Sequence, residues 1–326
     1  MNQLLALVFV YALVAPAWAA SAELDPAKLR LASANAVVWD TAAQRPIYAK
    51  AADEVTPIAS LTKLMTAIVV LEAAQSPDEM LEIETNDFDF LKGSRSRLRM
   101  GVTLSRSEML RLALMSSENR AASSLARHYP GGTPACIAAM NAKARALGMT
   151  RTHYSDPTGL SAANVSTAND LAKLVQVAAE YPLIREFSTT PAHYVELQPT
   201  GRLLGFNNSN ALVKNLAWDI QLQKTGYIRE AGRCLVMLTN IGSRPLVIVL
   251  LDSSGKLTRL GDAQRVKHWV ETGEAMALPS GSPPRYQGTF TPRQRAAKSS
   301  YKGMSSTRVA AYVESLKRVK YTQSAH

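Results

Sequence analysis

The spacing of hydrophobic and polar positions changes twice along the chain, first to a helical period and later back to strand-like runs. Two short segments, Ala36–Asp40 and Arg45–Lys50, are joined by a polar turn and predict a pair of strands. The next segment is rich in Ala, Leu and Met. It predicts a buried helix of about 15 residues that begins near Ser60 and carries Leu64 and Ile68 one turn apart.

The middle of the chain continues the helical pattern. Residues 75–103 are mixed, and Ser105–Glu108 then has the form of a capping box, which predicts a helix start there. Further helical patterns cover residues 109–115, 119–128, 134–147 and 168–180. The pattern then predicts four strands, Tyr194–Leu197, Asp219–Lys224, Cys234–Leu238 and Pro245–Leu251. The last predicted element is a helix, Ala263–Glu274.

This order of elements predicts one α+β domain over residues 25–278. An antiparallel sheet would be flanked by helices, with a mainly helical insert over residues 75–165. The chain has 326 residues, of which 47% are hydrophobic and 19% are charged. That composition suffices for a large core without structural metals or disulfides.

The cysteines and histidines do not predict a metal or cofactor site. Cys136 and Cys234 lie in an apolar helix and an apolar strand, so we expect two buried thiols, with one disulfide as the alternative. The five His are scattered, and neither cysteine has a neighbour at zinc-ligand spacing.

The N-terminus predicts export. The first 20 residues carry no charged side chain and have a long apolar run before Pro16 and a small-x-small site at Ala17–Ala19. This is the pattern of a secretory signal peptide over residues 1–19, cleaved near Ala19–Ala20 or Ala22–Glu23. An uncleaved anchor is the alternative.

The net charge of +11 is concentrated at the other end of the chain. Residues 281–326 contain nine Lys or Arg against one Glu, so +8 of the charge falls there. Residues 279–326 are also rich in Pro, Ser and Gly, and we expect a basic, largely disordered tail with a candidate amphipathic helix over residues 306–320. A nucleic-acid ligand conflicts with an exported chain.

Three Ser-x-x-Lys pairs occur, and one has the surroundings of a catalytic pair. On a helix the two side chains share a face, and the amine can serve as base for the hydroxyl once burial lowers the pKa of the Lys. Ser253–Lys256 and Ser299–Lys302 fall in a Gly turn and in the basic tail, where solvation keeps Lys protonated. Ser60–Lys63 opens an apolar helix instead.

Two further triplets become informative together with this pair. Ser117-Glu118-Asn119 lies between two helical runs, where it could also be a simple helix cap. Lys224-Thr225-Gly226 ends a strand-like segment, where it could also be a simple turn. In this order and on these elements, the three motifs together resemble the penicilloyl serine transferases.

The residues around the motifs narrow the resemblance to one family. Pro57–Thr66, Met115–Ala122, Asp156–Ser161 and Ser166–Leu171 are similar to the low-molecular-mass penicillin-binding serine peptidases, and most similar to the D-alanyl-D-alanine endopeptidases among them. The resemblance spans about residues 30–275. It implies the serine β-lactamase/DD-peptidase fold, no cofactor, a periplasmic location, peptidoglycan cross-links as substrate and β-lactams as covalent inhibitors.

The resemblance also implies a role for each residue of the first two motifs. Ser60 would be the nucleophile that forms an acyl-enzyme, and Lys63 would accept its proton. Ser117 would relay the proton to the leaving amine. Asn119 would bond the substrate amide or hold Lys63.

The third motif would bind the substrate. Lys224 and Thr225 would hold the carboxylate end of the peptide, and Gly226 would let the substrate backbone lie along the strand. The backbone N–H groups of Ser60 and Tyr227 would form the oxyanion hole, where fixed donors stabilise the charge of the tetrahedral state.

Four functions remain to be weighed, and we favour a DD-endopeptidase that cleaves D-alanyl-diaminopimelate cross-links in cell-wall remodelling. Several carboxypeptidases of the group add a β-rich domain and a membrane anchor, for which residues 279–326 are too few and too polar. A class A β-lactamase needs a Glu for deacylation, and no Glu-x-x-x-Asn lies between Ser117 and Lys224. A non-catalytic wall-binding module would not need the full motif set. The basic tail could contact an anionic membrane or a wall protein.

Overall fold

The computed structural model describes residues 24–89 and 92–278. The predicted signal peptide and basic tail lie outside these residues. Within them the α-helices are α1 Thr62–Glu72, α2 Arg106–Met115, α3 Asn119–Arg127, α4 Gly132–Ala146, α5 Ala168–Ala178, α6 Pro182–Thr189 and α7 Thr258–Thr272. The strands are β1 Asn35–Asp40, β2 Arg45–Lys50, β3 Thr56–Pro57, β4 Met80–Glu82, β5 Thr103–Ser105, β6 Val165–Ser166, β7 Ala192–Leu197, β8 Arg202–Asn207, β9 Asp219–Ile228, β10 Gly232–Ile241 and β11 Arg244–Ser253.

Five strands form an antiparallel sheet in the order β2-β1-β11-β10-β9. The sheet joins the two ends of the described chain, because β1 pairs with β11 from Asn35 opposite Leu251 to Asp40 opposite Leu246. β9 lies at one edge and pairs with β10. Its other edge has no strand partner in the described ranges, and it borders the site described below.

Both faces of this sheet are buried. Successive side chains of a strand point to opposite faces, so a strand covered on both sides needs a continuous apolar run. The run Leu246–Leu251 of β11 meets this need, with its even-numbered residues packed towards α7 and its odd-numbered residues towards the other helices. The predicted apolar segments Cys234–Leu238 and Pro245–Leu251 are therefore parts of central strands of this sheet.

Helix α1 lies at the centre of the helical layer. It contacts α2, α3, α4, α5 and α6, and every residue of Thr62–Val70 is buried. The segment between α1 and α5 contains α2, α3 and α4, the short strand pair β4–β5, and β6, which pairs with β3 ahead of α1. The predicted α+β class, with helices against an antiparallel sheet, is confirmed. No helix among the described residues is long and apolar enough to cross a bilayer.

The structure agrees with some of the local predictions from the sequence and differs from others. The Ser105 hydroxyl accepts a hydrogen bond from the Glu108 N–H at 3.2 Å, as an N-cap should, while the Glu108 carboxylate contacts His193 at 2.7 Å. Cys136 and Cys234 are both buried, and they form no disulfide within the part of the chain that the structure describes. The sequence pattern missed α6 and β8 altogether.

Helix α7 begins five residues earlier than the sequence pattern indicated, at Thr258 instead of Ala263. Its first turns bury Arg259, Asp262 and Arg265, so polar side chains occupy the positions where the pattern would show apolar ones. The Asp262 carboxylate accepts hydrogen bonds there from the Ser33 N–H at 2.7 Å and from Arg265 at 2.9 Å.

Candidate active site

Ser60 lies on a short turn of 3-10 helix, Ala59–Leu61, that leads directly into α1. Two glycines from other segments press against this turn. A Cβ on Gly159, which has φ of +83°, would lie 2.0 Å from the Ala59 carbonyl oxygen. A Cβ on Gly226 in β9 would lie 3.1 Å from the Ser60 nitrogen. Gly159 therefore needs glycine to let its loop approach the Ser60 turn, and a side chain at Gly226 would crowd that turn, a reason for Gly226 beyond room for the substrate.

The Lys63 amine lies beside the Ser60 hydroxyl inside the fold. Only 1% of the residue is exposed. Its Nζ lies within hydrogen-bond distance of three oxygens: Ser60 Oγ at 3.0 Å, Asn119 Oδ1 at 2.7 Å and the Thr158 carbonyl at 2.6 Å. Burial lowers the pKa of Lys63 to about 7, against the opposing effect of the Asp156 and Glu118 charges.

These three contacts fix the direction of the Lys63 lone pair once the amine is neutral. A neutral amine has two N–H donors and one lone pair. The Asn119 and Thr158 oxygens are carbonyl acceptors and cannot donate, so they take the two N–H groups. The lone pair is then left for the hydroxyl of Ser60, which can donate its proton to Nζ over 3.0 Å.

The loop that supplies Thr158 is held by one carboxylate. Asp156 accepts hydrogen bonds from the N–H groups of Thr158 at 2.6 Å, Gly159 at 2.7 Å and Ser161 at 2.9 Å. Asn164 ties the same loop to α1, because its Nδ2 donates to Thr62 Oγ1 at 2.9 Å. The sequence reading noted this segment only for its family likeness and missed that it contacts both Lys63 and the Ser60 turn.

The second and third motifs meet at one hydrogen bond. Ser117 stands between α2 and α3 with φ of +63°, a costly backbone conformation for a residue with a side chain. Lys224 is fully buried, and its Nζ donates to Ser117 Oγ at 2.8 Å and to the Thr225 carbonyl at 2.9 Å. Burial lowers the pKa of Lys224, and the nearby cations of Lys63 and Arg259 act in the same direction.

All three motifs border one open cleft of about 680 Å³. Its described lining is Ser60, Lys92, Ser94, Ser117, Asn119, Leu160, Ser209, Thr225, Gly226, Tyr227, Ile228, Arg229, Glu230 and Arg259. Every motif residue predicted from the sequence therefore lies on this cleft or directly behind it. Gly226, which precedes Tyr227 of the predicted oxyanion pair, lies against the Ser60 turn, since a Cβ on it would be 3.1 Å from the Ser60 nitrogen.

Arg259 is a charged lining residue that the sequence motifs did not predict. It comes from the first turn of α7, where no motif marks it, and only 9% of it is exposed. Its Nε and Nη1 are buried and find no hydrogen-bond partner among the described residues. A buried guanidinium with unpaired donors is a binding group for an anion, above all a carboxylate.

The pKa of Lys63 predicts how acylation depends on pH. Only the neutral amine can take the Ser60 proton, so the rate of adduct formation with labelled penicillin should rise about tenfold per pH unit below 7 and level off above it. Second-order rate constants measured between about pH 5 and pH 9 test this. A rate that is flat or falling from pH 5 to pH 7 would contradict a basic role for Lys63.

The chain is similar to known proteins over this whole region. The family model for D-alanyl-D-alanine carboxypeptidase matches residues 20–255. A D-alanyl-D-alanine endopeptidase of Pseudomonas aeruginosa is 48% identical over 286 residues, which cover 86% of this chain and 92% of that protein. A D-alanyl-D-alanine endopeptidase of Escherichia coli is 46% identical, covering 86% of this chain and 89% of that protein.

Solved structures agree with the sequence comparisons. A Streptomyces DD-transpeptidase superposes with a TM-score of 0.70 at 27% identity, over 75% of this chain and 98% of its own. A penicillin-binding protein of Listeria monocytogenes, solved with ampicillin bound, gives a TM-score of 0.65 at 28% identity over 74% of this chain. The chain therefore belongs to the D-alanyl-D-alanine carboxypeptidase family, whose members are serine hydrolases.

Proposed function

We propose that the protein is a penicillin-binding DD-endopeptidase that hydrolyses D-alanyl-diaminopimelate cross-links of peptidoglycan in the periplasm. The observation that carries the proposal is the buried Lys63 amine, whose lone pair is directed at Ser60 Oγ. The endopeptidases among the relatives share 48% and 46% identity with the chain over most of its length. The predicted export signal agrees with this location.

In the proposed reaction, Ser60 Oγ attacks the D-alanyl carbonyl carbon while Lys63 takes its proton. The oxyanion would be held by the N–H groups of Ser60 and Tyr227. Ser117, which accepts a hydrogen bond from Lys224, would pass a proton to the leaving amine as the peptide bond breaks. Water would then hydrolyse the ester on Ser60 and restore the hydroxyl.

Arg259 extends the proposed binding site beyond the Lys224-Thr225-Gly226 motif. The cross-link amine belongs to a stereocentre that also bears a free carboxylate, as a terminal D-alanine does. Arg259 and Thr225 line the same cleft and would hold that carboxylate in either substrate. The site is therefore compatible with carboxypeptidase activity as the second candidate.

The lining of the cleft argues against rapid β-lactam hydrolysis. Among its described residues Glu230 is the only carboxylate, and it is paired with Lys92. Asp156 is occupied by the backbone of its own loop. A penicilloyl ester on Ser60 would thus lack an acidic side chain free to activate water.

Digestion of purified muropeptides tests the proposal. The enzyme should convert cross-linked tetrapeptide dimers into monomers, and penicillin should leave a slowly hydrolysed adduct on the peptide that contains Ser60. Loss of terminal D-alanine from pentapeptide monomers with intact dimers would replace the proposal with a carboxypeptidase. Rapid penicillin turnover without a trapped adduct would replace it with a β-lactamase.

A further inference from the structure

One ion pair spans the cleft away from the motif residues. The Lys92 ammonium donates to Glu230 Oε1, and both side chains line the cleft. Lys92 comes from the segment between β4 and β5, whereas Glu230 lies in the turn between β9 and β10. The pair therefore joins the turn after β9 to the segment between β4 and β5.

Only half of the Glu230 carboxylate is satisfied. The side chain is 16% exposed, and its Oε2 is buried without a hydrogen-bond partner among the described residues. A buried carboxylate oxygen without a donor is costly, and it calls for a ligand group that can donate to it. Because the group is anionic, the matching ligand group is a cation such as an ammonium.

The position of this pair along β9 indicates which part of a substrate would reach it. Thr225, which with Arg259 is suited to the leaving-group carboxylate, belongs to β9 and lines the cleft. Strand rise of about 3.3 Å per residue puts Ile228 roughly 10 Å further along β9, with Glu230 just beyond it. A peptide whose D-alanyl carbonyl meets Ser60 would therefore place the residue before that D-alanine towards Glu230 and Lys92.

We propose that Glu230 and Lys92 recognise the zwitterionic side-chain end of a diamino dicarboxylic acid in the acyl-donor peptide. This inference rests on the proposed function. The ligand ammonium donates to Glu230, and the ligand carboxylate accepts from Lys92. Glu230 and Lys92 thus part from each other, and each binds the oppositely charged group of the substrate.

The exchange is feasible because the Lys92 end of the ion pair is open to water. The Lys92 side chain is 32% exposed, so its ammonium can turn to a ligand carboxylate in the cleft. Glu230 replaces the Lys92 ammonium with the ligand ammonium, which can also donate to Oε2, while Lys92 takes the ligand carboxylate as its anionic partner. A substrate that carries only the ammonium or only the carboxylate would leave Lys92 or Glu230 without a charged partner from the ligand.

A single chemical change in the substrate tests the proposal. A tetrapeptide dimer has one free amine, on the donor diaminopimelate, so mild acetylation removes only that ammonium. We expect the wild-type enzyme to cleave native dimers with about tenfold higher kcat/KM than acetylated dimers. Glu230→Gln should reduce this ratio to near one, and Lys92→Met should reduce the preference for native dimers over dimers amidated at the donor carboxylate.

The control is Glu271→Gln, which neutralises a carboxylate of comparable charge in the exposed Lys267–Glu271 pair on α7. It should retain the wild-type ratio. A wild-type ratio near one, or a full ratio in Glu230→Gln, would overturn the inference while dimer cleavage leaves the proposed function standing. Absence of any dimer cleavage by the wild type would instead reject the proposed function and this inference with it.

Discussion

Replacing Ser60 with alanine should abolish the covalent penicillin adduct and lower dimer cleavage by at least about 10⁴-fold. The Lys63 amine would remain in place, but the only hydroxyl aligned with its lone pair would be gone. Ser60 is partly exposed at the cleft, so removing its Oγ should leave the fold intact. Mass spectrometry of the protein after exposure to labelled penicillin measures the first effect, and digestion of muropeptide dimers measures the second.

A matched control lies in the same chain. Ser299→Ala alters another Ser-x-x-Lys pair, Ser299–Lys302, and should leave both the adduct and dimer cleavage unchanged. An adduct that persists in the Ser60→Ala variant, or that disappears in the Ser299→Ala variant, would move the nucleophile away from Ser60.

Replacing Lys63 with arginine should lower the rate of acylation by about 10³-fold. Arginine preserves the positive charge but stays protonated at every working pH, so it cannot accept the Ser60 proton. Lys63→Met removes the charge as well, in a side chain of similar length, and should show a comparable loss. Stopped-flow fluorescence with a labelled penicillin gives the rate constant for each variant.

The comparison of the two variants separates two roles for Lys63. Equal losses of acylation rate in the two variants would indicate that Lys63 acts as the base for Ser60. Acylation retained in Lys63→Arg would show that the positive charge alone suffices and would refute the proton transfer. Lys143→Arg, at an exposed ion pair on α4, is the control and should behave as wild type. Both Lys63 variants also need a thermal unfolding curve, because the buried site must accommodate the new side chain.

The motif residues were predictable from the sequence because their chemistry depends on local spacing. Ser60 and Lys63 share one helical turn, and Lys224, Thr225 and Gly226 are consecutive in one strand. The relative positions of the residues within each motif are therefore set by the local helix or strand. What brings the groups together is the packing of α1 against the other helices and of β9 against the Ser60 turn.

The missed parts of the site depend on contacts distant in sequence. Thr158 acts through a backbone carbonyl, which carries no sequence signal at all. Arg259 reaches the cleft from a helix whose buried face is partly charged, so its position looked like solvent-exposed helix or loop. The need for glycine at Gly159 is set by the Ala59 carbonyl, which lies one hundred positions earlier in the chain.

The two glycines that press on the Ser60 turn also bear on how drug resistance could arise. A side chain at Gly159 would meet the Ala59 carbonyl and one at Gly226 would crowd the Ser60 nitrogen, so we expect either change to impair peptide hydrolysis together with penicillin acylation. We therefore do not expect selection by β-lactams to favour substitutions at these two positions. We expect substitutions that slow penicillin acylation but spare peptide hydrolysis to lie elsewhere in the cleft lining instead.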